Sequence, residues 1–212
     1  MKPESSSFFD ILRQHAAQGP DAIASQSPRR IVTYRKFWSR IERATARLIS
    51  EWRVQPGEIV AYWGCGHQDA LMLYIAVARC GARLLPLEHV SLRADAGTFL
   101  QDHPVKVLLH DDELGADAAF TAATTTNLSS LIATRCHHHP VVDEDDARPS
   151  LITLAQAADG SLMCSERSLA EVWASNGEQA SPFEVSGGLF DIAVLGARVL
   201  PVLAARGTII FR

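Results

Sequence analysis

The sequence predicts an α/β protein built on a mixed, largely parallel sheet flanked by helices, and three observations predict it. Strand-like and helix-like runs alternate from Glu58 to His110, the order that lays parallel strands side by side with helical crossovers. A corner of helix, glycine and strand is written twice, in Cys80-Gly81-Ala82-Arg83-Leu84-Leu85 and again in Ala205-Arg206-Gly207-Thr208-Ile209-Ile210-Phe211. Finally, 212 residues with 47% hydrophobic content supply enough apolar surface for one real core.

Taken in order, Phe8, Ile11, Leu12 and Ala16 recur at helical spacing, and Gly19-Pro20 ends that helix. Residues Ala22–Ser25 and Arg30–Thr33 read as a hairpin around Ser27-Pro28. Thr33 then caps a long helix with Phe37, Ile41, Ala44, Leu48 and Trp52 on one face, which ends before Pro56-Gly57. Glu58–Trp63 is a strand, Gln68–Cys80 a helix closed by Gly81, and Arg83–Leu87 a second strand. A short helix over Leu92–Asp102 and a third strand over Val105–His110 follow.

The pattern weakens between 111 and 148, which reads as an irregular connection with one short strand inside a single domain spanning 1–212. It returns as strands at Leu151–Ala155 and Ser161–Cys164, a helix at Ser165–Ser175, a helix at Gly188–Ala204 bent at Pro201, and a strand at Gly207–Phe211.

Composition removes several function classes. A net charge of -4 with mixed signs leaves no basic stripe for nucleic acid. The longest apolar runs are broken by Arg79, Arg83, Arg198 and Arg206, short of the roughly 20 residues that a membrane span needs. Cys65, Cys80, Cys136 and Cys164 lie far apart without a paired spacing, and no signal-like apolar run opens the chain, so reduced thiols in the cytoplasm are expected.

The candidate sites each face a plainer reading. Cys136 with His137, His138 and His139 suggests a metal, but consecutive side chains diverge too far to meet one tetrahedral ion. The acidic run Asp143–Asp146 lacks the alternating ligands and turn glycine of a calcium loop and is expected to be a solvated linker. Cys65 and His67 offer a thiol and a base, yet near neighbours rarely align for proton transfer. Ser161 lacks the glycines two positions to either side that a nucleophile elbow wants, Asp159 and Met163 standing there instead. No catalytic residue and no metal ligand is assigned. Trp38, Trp52, Trp63 and Trp173 read as core or edge aromatics.

Two stretches remain as ligand-pocket candidates. From Pro149 to Leu169, a strand, a turn and a helix start succeed one another as they would around a phosphate, with Asp159, Gly160 and Ser161 at the turn. A phosphate cradle needs several glycines and usually a lysine, whereas this turn has one glycine and no lysine. The second candidate is Glu184 with Gly187 and Gly188, where glycines ahead of a helix could offer N–H groups to a carboxylate that Glu184 would repel. The plainer alternative is close helix packing beside an exposed Glu184.

Four stretches together resemble the N-terminal subdomain of the adenylate-forming acid ligases, the superfamily of acyl-CoA synthetases and adenylation domains. They are Val32-Thr33-Tyr34 with Val54–Val60, the corner Cys80–Leu87, the segment Ser165–Leu169, and Pro182–Gly188 continuing through Leu200–Leu203 to Gly207–Ile210. The resemblance implies the fold of the first such subdomain, with Pro182–Gly188 lining an acyl pocket. It also implies a loop of the type T-S-G-T-T-G-x-P-K-G after the strand at Ile152–Leu154. No register restores that loop, since the last lysine is Lys106, and many relatives carry a histidine where this chain has Glu184.

The expectation is therefore a degenerate, truncated ligase-like protein, noncatalytic alone and acting as a binding or assembly component. ATP and magnesium, the family's cofactors, are not expected here. A second copy of the chain or a second protein is the expected partner, with a hydrophobic or aryl carboxylic acid as the implied ligand. Two alternatives stay open: one subunit of a split ligase activated by another chain, and a carboxylic-acid carrier or sensor.

Overall fold

The computed structural model describes residues 7–87, 103–112, 124–134, 140–156, 162–173 and 181–212. Two sheets organise it. The larger has six strands in the order β6-β5-β3-β4-β7-β8, and the smaller has four in the order β2-β1-β10-β9. In the larger sheet β3 (Ile59–Trp63), β4 (Arg83–Pro86), β5 (Val105–His110), β6 (Thr125–Asn127) and β7 (Pro149–Gln156) run parallel, and β8 (Leu162–Ser168) turns back antiparallel on β7. In the smaller sheet β1 (Ile23–Ser27) pairs antiparallel with β2 (Arg30–Thr33) and parallel with β10 (Ile209–Phe211), which pairs parallel with β9 (Phe183–Val185). The expected mixed, largely parallel sheet flanked by helices is present as two sheets.

Strand periodicity sets the two faces of the larger sheet. Val60, Tyr62, Leu84, Val107, Leu109 and Leu151 point into the main core, while Ile59, Ala61, Trp63, Leu85, Leu108 and Ile152 form a second cluster on the opposite face. The main core is filled by α1 (Phe8–Gln18), α2 (Tyr34–Ser50) and α3 (Gln68–Arg79). Every residue of α3 is buried, because it packs on α2 as well as on β4 and β7 of one sheet and β1 of the other. Hydrophobic residues on all sides of a helix are the sequence mark of such a position. Tyr34 locks the two halves together: its hydroxyl lies 2.8 Å from the Gly207 carbonyl and 3.1 Å from that of Leu203. Burial pushes the Tyr34 phenol well above its ordinary pKa.

Most of the first half follows the sequence reading, including the Thr33 cap, which accepts from the Lys36 N–H, and Gly81 at φ +67 after α3. The second half differs in four places. A helix, α4 (Leu128–Ala133), follows β6 and was unforeseen, although Asn127 caps it by accepting from the Ser130 N–H. β8 continues through Ser168, so the helix expected from Ser165 starts only at α5 (Leu169–Trp173). Strand β9 was also unforeseen, being three residues long. The last long helix begins at Ile192 instead of Gly188 and is interrupted: α6 (Ile192–Val194) passes into a π-helical segment, Leu195–Val199, before α7 (Leu200–Ala204). Pro201 has no N–H, so the turn before it cannot close with the regular pattern. The helix expected over Leu92–Asp102 lies outside the described residues.

The linker reading of Asp143–Asp146 is corrected. Glu144 accepts from Arg79 Nε at 2.8 Å and from Arg13, and Asp146 Oδ2 accepts from the Phe8 N–H at 2.9 Å. Arg79 and Arg13 also lie over the Trp38 ring, 4.8 and 5.2 Å from its centroid. The acidic run therefore pins α1 to α3. Cations stacked on an indole gain most where water is displaced, which suits the nearly buried Trp38.

Candidate functional site

In an open α/β sheet, ligands gather outside the carboxyl ends of the strands. At that edge the β7–β8 hairpin is held in register from Pro149↔Ser168 to Gln156↔Leu162, and Thr153 Oγ1 lies 2.7 Å from Ser165 Oγ across it. Since Gln156 pairs with Leu162, only Ala157, Ala158, Asp159, Gly160 and Ser161 connect the strands. These five residues, with the candidates Asp159, Gly160 and Ser161 among them, lie outside the described residues. The register thus leaves five connecting residues, against the ten positions of the glycine-rich motif that the resemblance implies.

Past the hairpin, Ser168 and Glu171 form a reciprocal capping box. The Ser168 N–H donates to Glu171 Oε2 at 2.8 Å, and the Glu171 N–H donates to Ser168 Oγ at 3.0 Å. The start of α5 is thus closed by its own side chains. Arg83 of β4 pairs with Glu166 of β8. Burial and then Glu166 raise the pKa of the Cys164 thiol, although Arg83 opposes them. That holds the exposed thiol in its less nucleophilic form.

The second candidate does not assemble. Glu184 sits in β9 opposite Ile210 and accepts from Arg212 Nε at 2.6 Å, an ion pair whose partners are 39% and 76% exposed. Gly187 has φ +108 and open space around its Cβ position, so its conformation is what requires glycine. Gly188 does not cap a helix. Its carbonyl accepts from the Asp191 N–H at 3.2 Å, and Asp191 is the cap of α6, accepting from the Ala193 N–H at 2.7 Å. As for the two readings of these glycines, the start of the helix behind them is taken by the Asp191 side chain.

A polar cluster that the sequence reading missed lies where β3 and β5 end side by side. Successive connections leave these two strands in opposite directions, β3 towards β4 and β5 towards β6, the strand-order reversal beside which open α/β sheets bind ligands. Asp111, the residue after β5, accepts from Tyr62 Oη, from the Cys65 N–H and from His67 Nε2, each at 2.8 Å. Burial opposes the charge on Asp111, but the bonds from His67, Cys65 and Tyr62 prevail and hold its pKa below the ordinary value. His67 Nδ1 accepts from the Asp69 N–H at 3.1 Å and caps α3. Both ring nitrogens are thus committed, which removes the Cys65–His67 pair as a nucleophile and base. The one trace of it in the sequence, an acid directly after a parallel strand, is too common to single out Asp111 by itself. Among the described residues no three side chains gather to hold a metal, and residues 135–139, with Cys136 and the histidine run, lie outside them.

Comparison with known proteins decides the family. The profile of the AMP-binding enzyme family matches residues 12–179, most of the chain. The chain belongs to the AMP-binding enzyme family. Within it, an oxalate–CoA ligase of Arabidopsis thaliana is 30% identical over 132 residues, covering 62% of this chain and 26% of the relative. The fold matches an O-succinylbenzoate coenzyme A synthetase of Bacillus subtilis in complex with AMP at a TM-score of 0.80 and 15% identity, over 95% of this chain and 55% of that one. A Mycobacterium tuberculosis fatty acyl CoA synthetase matches at 0.78 and 18%, over 97% and 44%. The chain therefore spans about a quarter of the curated relative and about half of each solved protein. Its architecture is that of the N-terminal subdomain of acyl-CoA synthetases, and no described helix is long and apolar enough to cross a membrane.

Proposed function

We propose that this member of the AMP-binding family does not grip ATP through its β7–β8 turn and serves as a noncatalytic binding or assembly component. One observation carries the reading. The register leaves five residues between β7 and β8, and they hold one glycine and no lysine. Converging backbone N–H groups and a cation are what neutralise transferring phosphates. A cytoplasmic setting and a partner chain, either a second copy or another protein, belong to the same proposal.

The test is equilibrium binding of ATP, with and without magnesium, together with ATP–pyrophosphate exchange in the presence of a panel of aliphatic and aryl carboxylic acids. Neither binding nor exchange is expected. Saturable ATP binding that is abolished by Gly160→Ala or Ser161→Ala would overturn the reading, as would exchange with any acid.

A further inference from the structure

His67 stands between two hydrogen-bond partners that only one protonation state can satisfy together. Its Nε2 lies 2.8 Å from Asp111 Oδ1, and its Nδ1 lies 3.1 Å from the Asp69 backbone nitrogen at the start of α3. An ionised carboxylate can only accept, so Nε2 carries a hydrogen; a backbone N–H can only donate, so Nδ1 is bare. The capped helix therefore holds a neutral ring in its Nε2–H form. A proton added at Nδ1 would set one donor against another and end the cap, while the bond to Asp111 would become charge-assisted.

Both partners of the ring are anchored. Asp111, directly after β5, is fixed by Tyr62 Oη of β3 and by the Cys65 N–H, each at 2.8 Å. On the other side, the Asp69 carboxylate accepts from Arg30 Nη2 of β2 at 2.5 Å. Arg30 Nε donates to Gln68 Oε1 at 3.0 Å, and Gln68 Nε2 donates to Ser25 Oγ of β1 at 2.7 Å. A continuous chain of hydrogen bonds thus runs from the carboxyl edge of the larger sheet to the smaller sheet, with the His67 ring as its joint. The ring is 43% exposed, so protons from solvent reach it. Among the described residues, the charges that act on it are Asp111, Asp69 and Arg30. Burial resists the imidazolium, Asp111 and then Asp69 favour it, Arg30 opposes it, and the balance lifts the pKa above 6.5.

We propose that His67 is a pH-operated latch on the N-terminus of α3: neutral, it caps the helix; protonated, it drops the cap and turns about its bond to Asp111, freeing the loop 64–67 from the helix. That loop follows β3 beside the strand-order reversal, where open α/β sheets take their ligands, so the two states give this edge two shapes. Gly66, at φ +69, supplies a backbone that a bulkier residue would strain. The latch lies apart from the β7–β8 turn and stands or falls independently of the noncatalytic reading.

The experiment is an NMR titration of the intact, nitrogen-15-labelled chain between about pH 5 and 9, the range over which an imidazole changes charge. It follows the imidazole nitrogens of His67, assigned by their loss in His67→Asn, and the hydrogen exchange of the Asp69 amide, corrected for the intrinsic pH dependence of exchange. Above the midpoint the ring is expected in its Nε2–H form. Below it, Nδ1 takes up a proton and the corrected exchange of the Asp69 amide rises about fivefold at the same midpoint, the factor that a lost cap is worth.

His67→Asn keeps a side chain that caps and does not titrate, so its corrected Asp69 exchange is expected to stay level across the range. Asp111→Asn removes the counter-charge of the imidazolium and is expected to lower the His67 midpoint by about one pH unit or more. Should Asp111→Asn not fold, His67→Asn alone still decides. A purely structural histidine would titrate without moving the Asp69 amide. That result, a step in Asp69 exchange that persists in His67→Asn, or a ring protonated on Nδ1 above the midpoint overturns the proposal.

Discussion

Glu144 and Arg79 form the ion pair that ties the acidic segment before β7 to the buried helix α3, with Arg79 Nε 2.8 Å from Glu144 Oε1 and the two side chains only 16% and 9% exposed. Arg13 occupies the other oxygen, so the carboxylate bridges two cations that share the Trp38 face. Removing a carboxylate from such a place strands both guanidiniums, which costs more than the pair is worth when intact.

Glu144→Gln is therefore expected to lower stability by about 1–3 kcal/mol, read as a lower urea midpoint with unchanged slope. Asp143→Asn, at an exposed carboxylate paired with Arg148, leaves the midpoint where it is. Equal effects of the two substitutions would show that Glu144 is an ordinary surface acid.

Composition could not separate these two acids. In Asp143–Asp146 the charges look alike, and the partners that distinguish Glu144 and Asp146 lie 65 or more residues away in sequence. The same limit explains β9, whose three residues have too little periodicity to register and become a strand by pairing with β10. By contrast α2, α3 and β3 to β5 were legible because their apolar spacing and terminal residues agree with their surroundings. Thr33 and Gly81 stand where cap chemistry wants them. At the candidate site, the sequence disclosed the missing lysine and glycines, and the pairing of Gln156 with Leu162 added the shortness of the connection. Asp111 was overlooked because one acid after a strand says nothing until Tyr62, Cys65 and His67 are seen to converge on it.

The π-helical segment gives a second prediction. A Cβ built on Gly196 would lie 2.4 Å from the Val172 carbonyl oxygen, which belongs to backbone and cannot swing aside. Gly196→Ala should force the π segment away from α5 and cost about 1–3 kcal/mol, opposite to the gain alanine brings in an unobstructed helix. The readout is the denaturation midpoint. A neutral or stabilising result would mean that the contact between the two helices is looser than the structure shows.

The Asp111–His67 pair predicts opposite responses on the two sides of neutrality. The folded-state pKa of Asp111 is depressed, so its contribution is present above the unfolded carboxyl value of about 3.9 and is lost as pH falls through the folded value. For His67 burial works against the charge, but the hydrogen bond and charge of Asp111 outweigh it and raise the folded pKa above 6.5. Protonated His67 gives up its cap on Asp69 and gains a full charge opposite Asp111. Its contribution is thus complete below 6.5 and disappears as pH rises through the raised value. Asp111→Asn should remove the alkaline-side decline and reduce the acid-side one. Tm profiles of parent and variant that run parallel across both ranges would refute the coupling.

The last prediction separates scaffold from pocket at Glu184 and Gly187. The exposed pair Glu184–Arg212 is solvated on both sides, so Glu184→Gln should leave Tm unchanged. Gly187→Ala meets no neighbour within 4 Å, and its cost is the left-handed backbone alone, about 1 kcal/mol. If this loop carried a carboxylic-acid ligand, as the resemblance of Pro182–Gly188 to an acyl-pocket segment implies, a second signature would accompany that loss. Aryl or aliphatic acids would raise the Tm of the parent chain, Gly187→Ala would blunt the rise, and Glu184→Gln, by removing a repelling charge, would enlarge it. With Asp191 already occupying the helix start behind the glycines, the expected outcome is the simple loss of stability in Gly187→Ala, with no acid-dependent shift in any of the three proteins.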